Sequence, residues 1–264
     1  MAKRNNNSTN RNRNRNRNRT GTESTPQKGK EVTPTTQANT PPTFAHHEYK
    51  KISPITNNQK LLQHSLVTNT LTIVSGPAGA GKTFMPAVYA AELLEKGTIK
   101  KIVLARPYVD LNNKGIGFLP GNEAEKLTPY VRPMLEAIKY VIGPEKLKYY
   151  LETGVIEIKA LASIRGMSYD DTFLIFDEMQ GTVPNEIQAV TTRLGKNVKV
   201  VISGDTRQTD VKRDRSRVGL EYLRYIVAKY PIRSTDSIEM TVDDVVRSGI
   251  TKDFVLAYEA EGWL

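Results

Sequence analysis

Short apolar runs alternate with longer segments of helical spacing from residue 45 to the end of the chain. Six runs rich in β-branched residues predict strands at 71–75, 101–105, 155–159, 172–176, 198–203 and 236–240. Apolar residues spaced three and four apart predict helices at 57–67, 82–96, 123–141, 144–152, 184–194, 216–229 and 251–260. Buried strands that alternate with helices are typical of a mostly parallel, doubly wound sheet flanked by helices on both faces. The pattern therefore predicts an α/β fold.

Residues 1–44 lack this pattern. They combine an Asn-Arg alternation at 10–19 with a stretch rich in Thr, Pro and Gln, and so few apolar side chains cannot offset the entropy of ordering the backbone. We expect a disordered tail at 1–44 and a folded domain at 45–264. The tail holds nine Lys and Arg against two Glu, so it carries +7 of the formal net charge of +10. Such a tail can contact nucleic-acid phosphates, or it serves only to keep the chain soluble.

The composition limits the cellular location of the chain and the kinds of site that it can form. The 264-residue chain has no cysteine, which excludes disulfides and thiolate metal sites and favours a cytoplasmic location. No apolar region resembles a signal peptide or is long enough to span a membrane. His46, His47 and His64 have no partner at metal-ligand spacing, so we expect surface or packing histidines.

The clearest chemistry lies at 76–83, Gly-Pro-Ala-Gly-Ala-Gly-Lys-Thr, between the first predicted strand and the next helix. Its spacing is that of the phosphate-binding P-loop, in which glycines let backbone N–H groups turn inward around a polyphosphate. Lys82 would place its charge on the β- and γ-phosphates of ATP, and the Thr83 hydroxyl can ligate Mg²⁺. Pro86 is expected to perturb the early turns of the following helix. The predicted nucleotide-binding residues of this loop are Gly76, Pro77, Ala78, Gly79, Ala80, Gly81, Lys82 and Thr83.

Two further predicted strands end in polar groups. The fourth is followed by Asp177, which would hold Mg²⁺ or its water, and Glu178, which would polarise the attacking water. The fifth is followed by Gly-Asp-Thr-Arg-Gln, in which Gln208 could sense the γ-phosphate and Asp205 could position Gln208 or a water. A purely structural turn is the alternative for this stretch. Ligands bind at the carboxyl ends of strands in open α/β sheets, so we expect both groups at one site.

Several stretches together resemble the PhoH family. They are 76–83, Leu-Ala-Arg-Pro at 104–107, Gly-Phe-Leu-Pro-Gly at 117–121, Arg-Pro at 132–133, Arg-Gly at 165–166, Asp-Glu-Met-Gln at 177–180, Gly-Asp-Thr-Arg-Gln at 204–208 and Asp-Asp-Val-Val-Arg at 243–247. The resemblance implies a RecA-like P-loop NTPase that hydrolyses ATP with Mg²⁺ and acts on single-stranded RNA or DNA. It also implies that Gln59 contacts adenine, that Asp177 and Glu178 form the Walker B pair and that Gln208 lies at the γ-phosphate. Arg106, in Leu-Ala-Arg-Pro, has a structural salt bridge as its alternative.

The folded region has room for a single RecA-like domain, whereas helicases of this class close a cleft between two. We therefore expect a homo-oligomer, a hexameric ring, in which a neighbouring subunit supplies a catalytic arginine. Arg247 and Arg217 are the candidates, with a helix cap and a solvated loop as their alternatives. Residues 1–44 are too few and too poor in acids for a PIN-type nuclease, so we expect no attached ribonuclease. A regulatory or phosphate-stress ATPase that does not translocate on nucleic acid is the alternative function.

Overall fold

The computed structural model describes residues 42–107, 122–164, 166–207, 218–246 and 249–261. The strands are β1 Leu71–Ser75, β2 Lys101–Arg106, β3 Ile156–Ala160, β4 Thr172–Phe176, β5 Lys199–Gly204 and β6 Thr235–Glu239. The helices are α1 Asn57–Thr68, α2 Phe84–Glu95, α3 Glu123–Ile142, α4 Pro144–Glu152, α5 Leu161–Ile164, α6 Pro184–Thr191, α7 Gly219–Lys229 and α8 Gly249–Ala260. Every predicted strand is found to within one residue. Among the α-helices of the described ranges, only the single-turn α5 was not predicted, because four residues are too short for a periodic signal.

The six strands form one sheet in the order β3-β2-β4-β5-β1-β6, and every neighbouring pair is parallel. The predicted parallel α/β fold is therefore confirmed. In this order β5 lies between β1, which leads into the P-loop, and β4, which leads into the acidic pair. The strand β2 borders β4 on its other side. The carboxyl ends of β1, β5, β4 and β2 thus form one continuous edge, and the site is built there.

Helices cover both faces of the sheet, as the apolar strands require. One apolar cluster includes Leu62 of α1 and Ile138 of α3, and the other includes Ile187 of α6 and Leu220 of α7. The central strand β4 supplies alternate side chains to the two clusters, because successive residues of a strand point to opposite faces. All five residues of β4 are buried. The site at the end of this strand therefore rests on a rigid, doubly covered support.

The sequences of the two helices next to the P-loop explain where each helix begins. At α1, the N-cap Thr56 and Gln59 form a capping box, in which each side chain accepts a hydrogen bond from the other's backbone N–H. The helix α2 begins at Phe84, two residues later than predicted, so Pro86 is its third residue. The first N–H groups of a helix lack intrahelical partners, and the missing N–H of Pro86 therefore costs little there.

The described residues from 43 onward belong to one compact unit, and the tail predicted at 1–44 lies outside the described residues up to position 41. No helix in the described part of the chain is both long and apolar enough to cross a bilayer.

Candidate nucleotide site

The glycines of the P-loop adopt the backbone angles that their side-chain-free geometry permits. The φ angles of Gly76, Gly79 and Gly81 are +136°, +87° and +95°, a region that other residues rarely enter. Gly76 is also sterically required, because a Cβ placed on it would lie 2.3 Å from the carbonyl oxygen of Met240. The loop therefore has the strand-to-helix shape that the sequence predicted.

Lys82 lies across this loop. Its Nζ donates a hydrogen bond to the Pro77 carbonyl oxygen over 2.8 Å. Burial lowers the pKa of Lys82, although the nearby carboxylates of Asp205, Asp177 and Glu178 act to raise it. Lys82 is half-buried and lines the cavity, so its ammonium is suited to bind an anion such as a phosphate.

The P-loop and the acidic pair are in direct contact. Thr83 donates a hydrogen bond from Oγ1 to Asp177 Oδ1 over 3.1 Å, and the two residues are 94 positions apart in sequence. Ser203, at the end of the intervening strand β5, donates to the same carboxylate oxygen over 2.7 Å. Asp177 is only 6% exposed, and burial raises the pKa of Asp177 despite these two hydrogen bonds. The contact brings together the two residues that the sequence predicted as Mg²⁺ ligands.

Glu178 is held in an unusual backbone conformation. Its φ of 58° and ψ of 38° lie in the left-handed region, which costs on the order of 1–2 kcal/mol for a residue with a Cβ. Its Oε1 lies 3.6 Å from Nη2 of Arg106, and its Oε2 accepts a hydrogen bond from Nε2 of Gln180. The salt bridge considered for Arg106 is therefore present, and its partner is the residue predicted to act on water.

The strand β5 places a second buried carboxylate beside this pair. Asp205 accepts hydrogen bonds at Oδ1 from the backbone N–H and Nε of Arg207, over 3.2 and 3.5 Å. Its buried Oδ2 has no hydrogen-bond partner within the described ranges. Its own N–H donates to Gln180 Oε1 over 3.1 Å, so Gln180 joins the ends of β4 and β5. Gln208, Arg217 and Arg247 lie outside the described residues, so their predicted roles remain predictions.

Gln59 is buried behind the P-loop, where its amide makes contacts within the chain. Nε2 donates to the carbonyl oxygens of Ala80 and Asp244, over 3.3 and 3.4 Å. Oε1 accepts from the backbone N–H of Ile55 over 2.8 Å. The residue lines the cavity, but it would have to exchange these bonds to pair with adenine, and that role remains a prediction.

A cavity of about 980 Å³ extends from the P-loop along the carboxyl edge of the sheet. Small-molecule sites commonly measure about 300–1,000 Å³, so this cavity is large enough for a nucleoside triphosphate. Besides the P-loop and the acidic residues, it is lined by residues 50–55, which precede α1. Tyr140 of α3 anchors this segment, because its hydroxyl donates to the Lys50 carbonyl oxygen over 2.9 Å.

Sequence reasoning missed three contributors to the site: the hydrogen bond from Ser203, the bridge made by Gln180, and the wall formed by residues 50–55. A polar residue at the end of an otherwise apolar strand is a weak signal for Ser203. Gln180 belongs to the Asp-Glu-Met-Gln stretch, but its bridge to Asp205, like the wall of residues 50–55, depends on contacts between distant segments.

A P-loop whose threonine contacts an acidic residue from a nearby strand, on a parallel sheet covered by helices, defines the P-loop NTPase class. Within that class the family is also settled. The family model described as PhoH-like protein matches residues 51–259, and the chain belongs to that family.

Relatives in several bacteria carry the same name. The chain is 37% identical over 215 residues to a PhoH-like protein of Bacillus subtilis, covering 80% of this chain and 65% of that protein. It is 36% identical over 209 residues to a PhoH-like protein of Mycobacterium tuberculosis, covering 79% and 58%. The chain thus spans less than two thirds of the length of these relatives.

Solved structures resemble the chain more distantly. The N-terminal domain of the DNA packaging ATPase from bacteriophage phi29 is 15% identical, with a TM-score of 0.41, covering 74% of this chain and 100% of that one. The Pif1 helicase from Candida albicans is 17% identical, with a TM-score of 0.35, covering 72% and 41%. These likenesses are too distant to bear on function.

Proposed function

We propose that this chain hydrolyses ATP with Mg²⁺ at the P-loop site and couples hydrolysis to the binding or remodelling of single-stranded RNA or DNA. The observation that carries the ATPase proposal is the contact of Thr83 with Asp177. It joins the end of the phosphate loop to a buried carboxylate, the arrangement that P-loop NTPases use to hold Mg²⁺.

The residues present fit Mg²⁺ and a triphosphate. Asp177 is a buried carboxylate with a raised pKa, and Asp205 has a buried oxygen without a hydrogen-bond partner in the described residues. The charged form of Asp177 is destabilised unless positive charge lies close by, and Oδ2 of Asp205 is able to accept a further contact. Thr83 and Asp177 would hold the ion, which would supply positive charge to the phosphate oxygens. Lys82, whose Nζ lies at the Pro77 carbonyl oxygen of the loop, would bind the β- and γ-phosphates.

Glu178 is the group that would polarise the attacking water. Its side chain is 37% exposed and lines the cavity next to Asp177. A general base must lie within hydrogen-bond reach of the proton that it takes, and Glu178 is the accessible carboxylate of the pair. We further propose that Gln208 orients this water or senses the γ-phosphate, and that Gln59 contributes to the adenine side of the cavity.

A homo-oligomer is part of the same proposal. The helix α8 exposes Ile250, Phe254, Leu256 and Tyr258, an apolar surface that a second subunit could cover. This helix follows a segment that contacts the P-loop, since the Val246 N–H donates to the Gly79 carbonyl oxygen over 3.3 Å. We propose that such a neighbour supplies the arginine, Arg247 or Arg217, that acts between subunits.

The test compares ATP hydrolysis by the wild-type chain, Lys82→Ala and Glu178→Gln, with and without Mg²⁺. We expect Mg²⁺-dependent turnover in the wild type and a loss of about a hundredfold or more in both variants. Turnover that persists in both variants would refute the site. Stimulation by single-stranded RNA or DNA would support coupling, whereas indifference to both would favour a regulatory ATPase. Light scattering with and without a non-hydrolysable ATP analogue tests the oligomer, and a strict monomer would exclude an arginine from a neighbour.

A further inference from the structure

We propose that Arg106 restrains Glu178 until nucleic acid binds, and that a backbone phosphate of a single-stranded polynucleotide relieves this restraint by binding the same guanidinium. Arg106 would then be a positioning residue that keeps ATP hydrolysis slow until nucleic acid is bound. The inference rests on the proposed function, in which Glu178 polarises water.

Both carboxylate oxygens of Glu178 are engaged in the structure. Oε1 lies 3.6 Å from Arg106 Nη2, and Oε2 accepts a hydrogen bond from Gln180. A base that orients water needs an oxygen lone pair directed toward it, and each oxygen of Glu178 already has a cation or a donor beside it. Glu178 must therefore give up or share one of these contacts. The contact with Arg106 is the longer of the two and is the one expected to yield.

Arg106 is itself held from the opposite side. It ends β2, beside β4, and its Nη1 donates to the Tyr130 carbonyl oxygen of α3 over 2.8 Å. Its guanidinium carbon also lies 5.7 Å from the centre of the Tyr130 ring. This turn of α3 lies between Pro129 and Pro133, and Pro133 lacks the N–H that would bond an earlier carbonyl. The guanidinium thus links this turn of α3, between two prolines, to the acidic pair.

The pair with Glu178 is open to competition by a phosphate. The side chains of Arg106 and Glu178 are 21% and 37% exposed, and partly exposed ion pairs with a single long contact are weak. A guanidinium binds phosphate through two parallel hydrogen bonds, a geometry that its single contact with Glu178 does not provide. Arg132, exposed on the same helix, adds positive charge near this turn. A phosphate group can therefore displace Glu178 from Arg106.

The main experiment measures ATP turnover of Arg106→Gln and Arg106→Lys, without polynucleotide and with single-stranded RNA or DNA. We expect Arg106→Gln to raise the basal kcat about two- to fivefold, with KM little changed, because an ion pair of this kind is worth about that factor. Stimulation by polynucleotide should shrink by the same factor. Arg106→Lys, which keeps the charge but not the two parallel hydrogen bonds, should keep a basal rate near that of the wild type and respond less to polynucleotide. Arg224→Gln is the matched control, since it removes an arginine–glutamate pair, with Glu239, away from the cavity.

Two binding measurements do not depend on turnover. Affinity for a non-hydrolysable ATP analogue should be equal in the wild type and Arg106→Gln. Affinity for single-stranded nucleic acid should fall in Arg106→Gln, and the slope of log affinity against log salt concentration should decrease by about one phosphate contact. Arg224→Gln should change neither quantity.

The outcomes separate this inference from the proposed function. A basal kcat of Arg106→Gln as low as that of Glu178→Gln would overturn the restraint, as would unchanged basal and stimulated rates. An unchanged salt slope would overturn the role of a backbone phosphate. If wild-type turnover does not depend on Lys82 and Glu178, the proposed function fails independently of any result with Arg106.

Discussion

Asp244 is the buried anchor that joins the start of α1 to the segment after β6, and replacing it by Asn should markedly destabilise the protein. The residue is 2% exposed. Its Oδ1 accepts a hydrogen bond from the Thr56 hydroxyl. Its Oδ2 accepts from Asn58 Nδ2 over 2.8 Å and from the Thr241 N–H over 2.7 Å.

The size of the effect follows from these bonds. Asn keeps the shape but replaces one carboxylate oxygen by an NH₂ group, which would face three donors at the position of Oδ2 and one at that of Oδ1. The NH₂ group therefore takes the position of Oδ1: the hydrogen bond from Thr56 is lost, and the other three lose their charged acceptor, where one bond to a charged group is worth about 1.5–3 kcal/mol. After some relaxation we expect the free energy of unfolding to fall by about 3 kcal/mol, which corresponds to a decrease in Tm of about 6–12 °C for a domain of this size.

The neighbouring residue provides the control. Asp243 has a side chain 94% exposed, with its Oδ1 3.6 Å from Lys252 Nζ, so Asp243→Asn should change stability by less than about 0.5 kcal/mol. Urea denaturation followed by far-UV circular dichroism measures both variants. Equal losses in Asp243→Asn and Asp244→Asn would refute the reasoning.

The effect of Asp244 should also depend on pH. Burial alone would raise the pKa of Asp244, but hydrogen bonds from Thr241, Thr56 and Asn58 outweigh it and lower the pKa. A carboxyl with a lowered pKa stabilises the folded state above its unfolded value of about 3.9, and this contribution is lost as the pH falls through its folded pKa. The difference between wild type and Asp244→Asn should therefore be constant near neutrality and shrink only below about pH 4.

Three other changes test separate parts of the structure. Ser203→Ala removes a hydrogen bond to Asp177, and we expect affinity for the Mg²⁺–ATP analogue complex, measured by calorimetry, to fall about tenfold or more; unchanged affinity would contradict this. Lys199→Met removes the ammonium that donates to three carbonyl oxygens at the end of α1, and should lower stability by about 1–2 kcal/mol in urea denaturation without reducing ATP-analogue affinity. Gly76→Ala places a methyl group against Met240 at a φ of +136°, so nucleotide binding should be lost; normal binding would show that the loop can relax.

Much of the fold was predictable because its signals are local. Apolar runs of five or six residues specify the strands, and β4, Thr172–Phe176, was predicted to the residue. The shape of the P-loop was predictable because the positive φ angles of its glycines are set within a stretch of eight residues. We expected Pro86 to perturb α2 because the sequence does not fix the first residue of that helix. In the structure α2 begins at Phe84, so Pro86 lies in the first turn, where its missing N–H costs little.

The sequence by itself therefore determined the strands, the phosphate loop and the acidic doublet, since each depends on neighbours along the chain. Only the tertiary structure decided which strands lie side by side, and strand order depends on packing between segments far apart in sequence. That order brings Thr83 to Asp177, places Ser203 between β1 and β4, and sets Arg106 against Glu178. Tertiary packing also directs the Gln59 amide toward the back of the phosphate loop, where it forms hydrogen bonds with backbone groups from three separate segments.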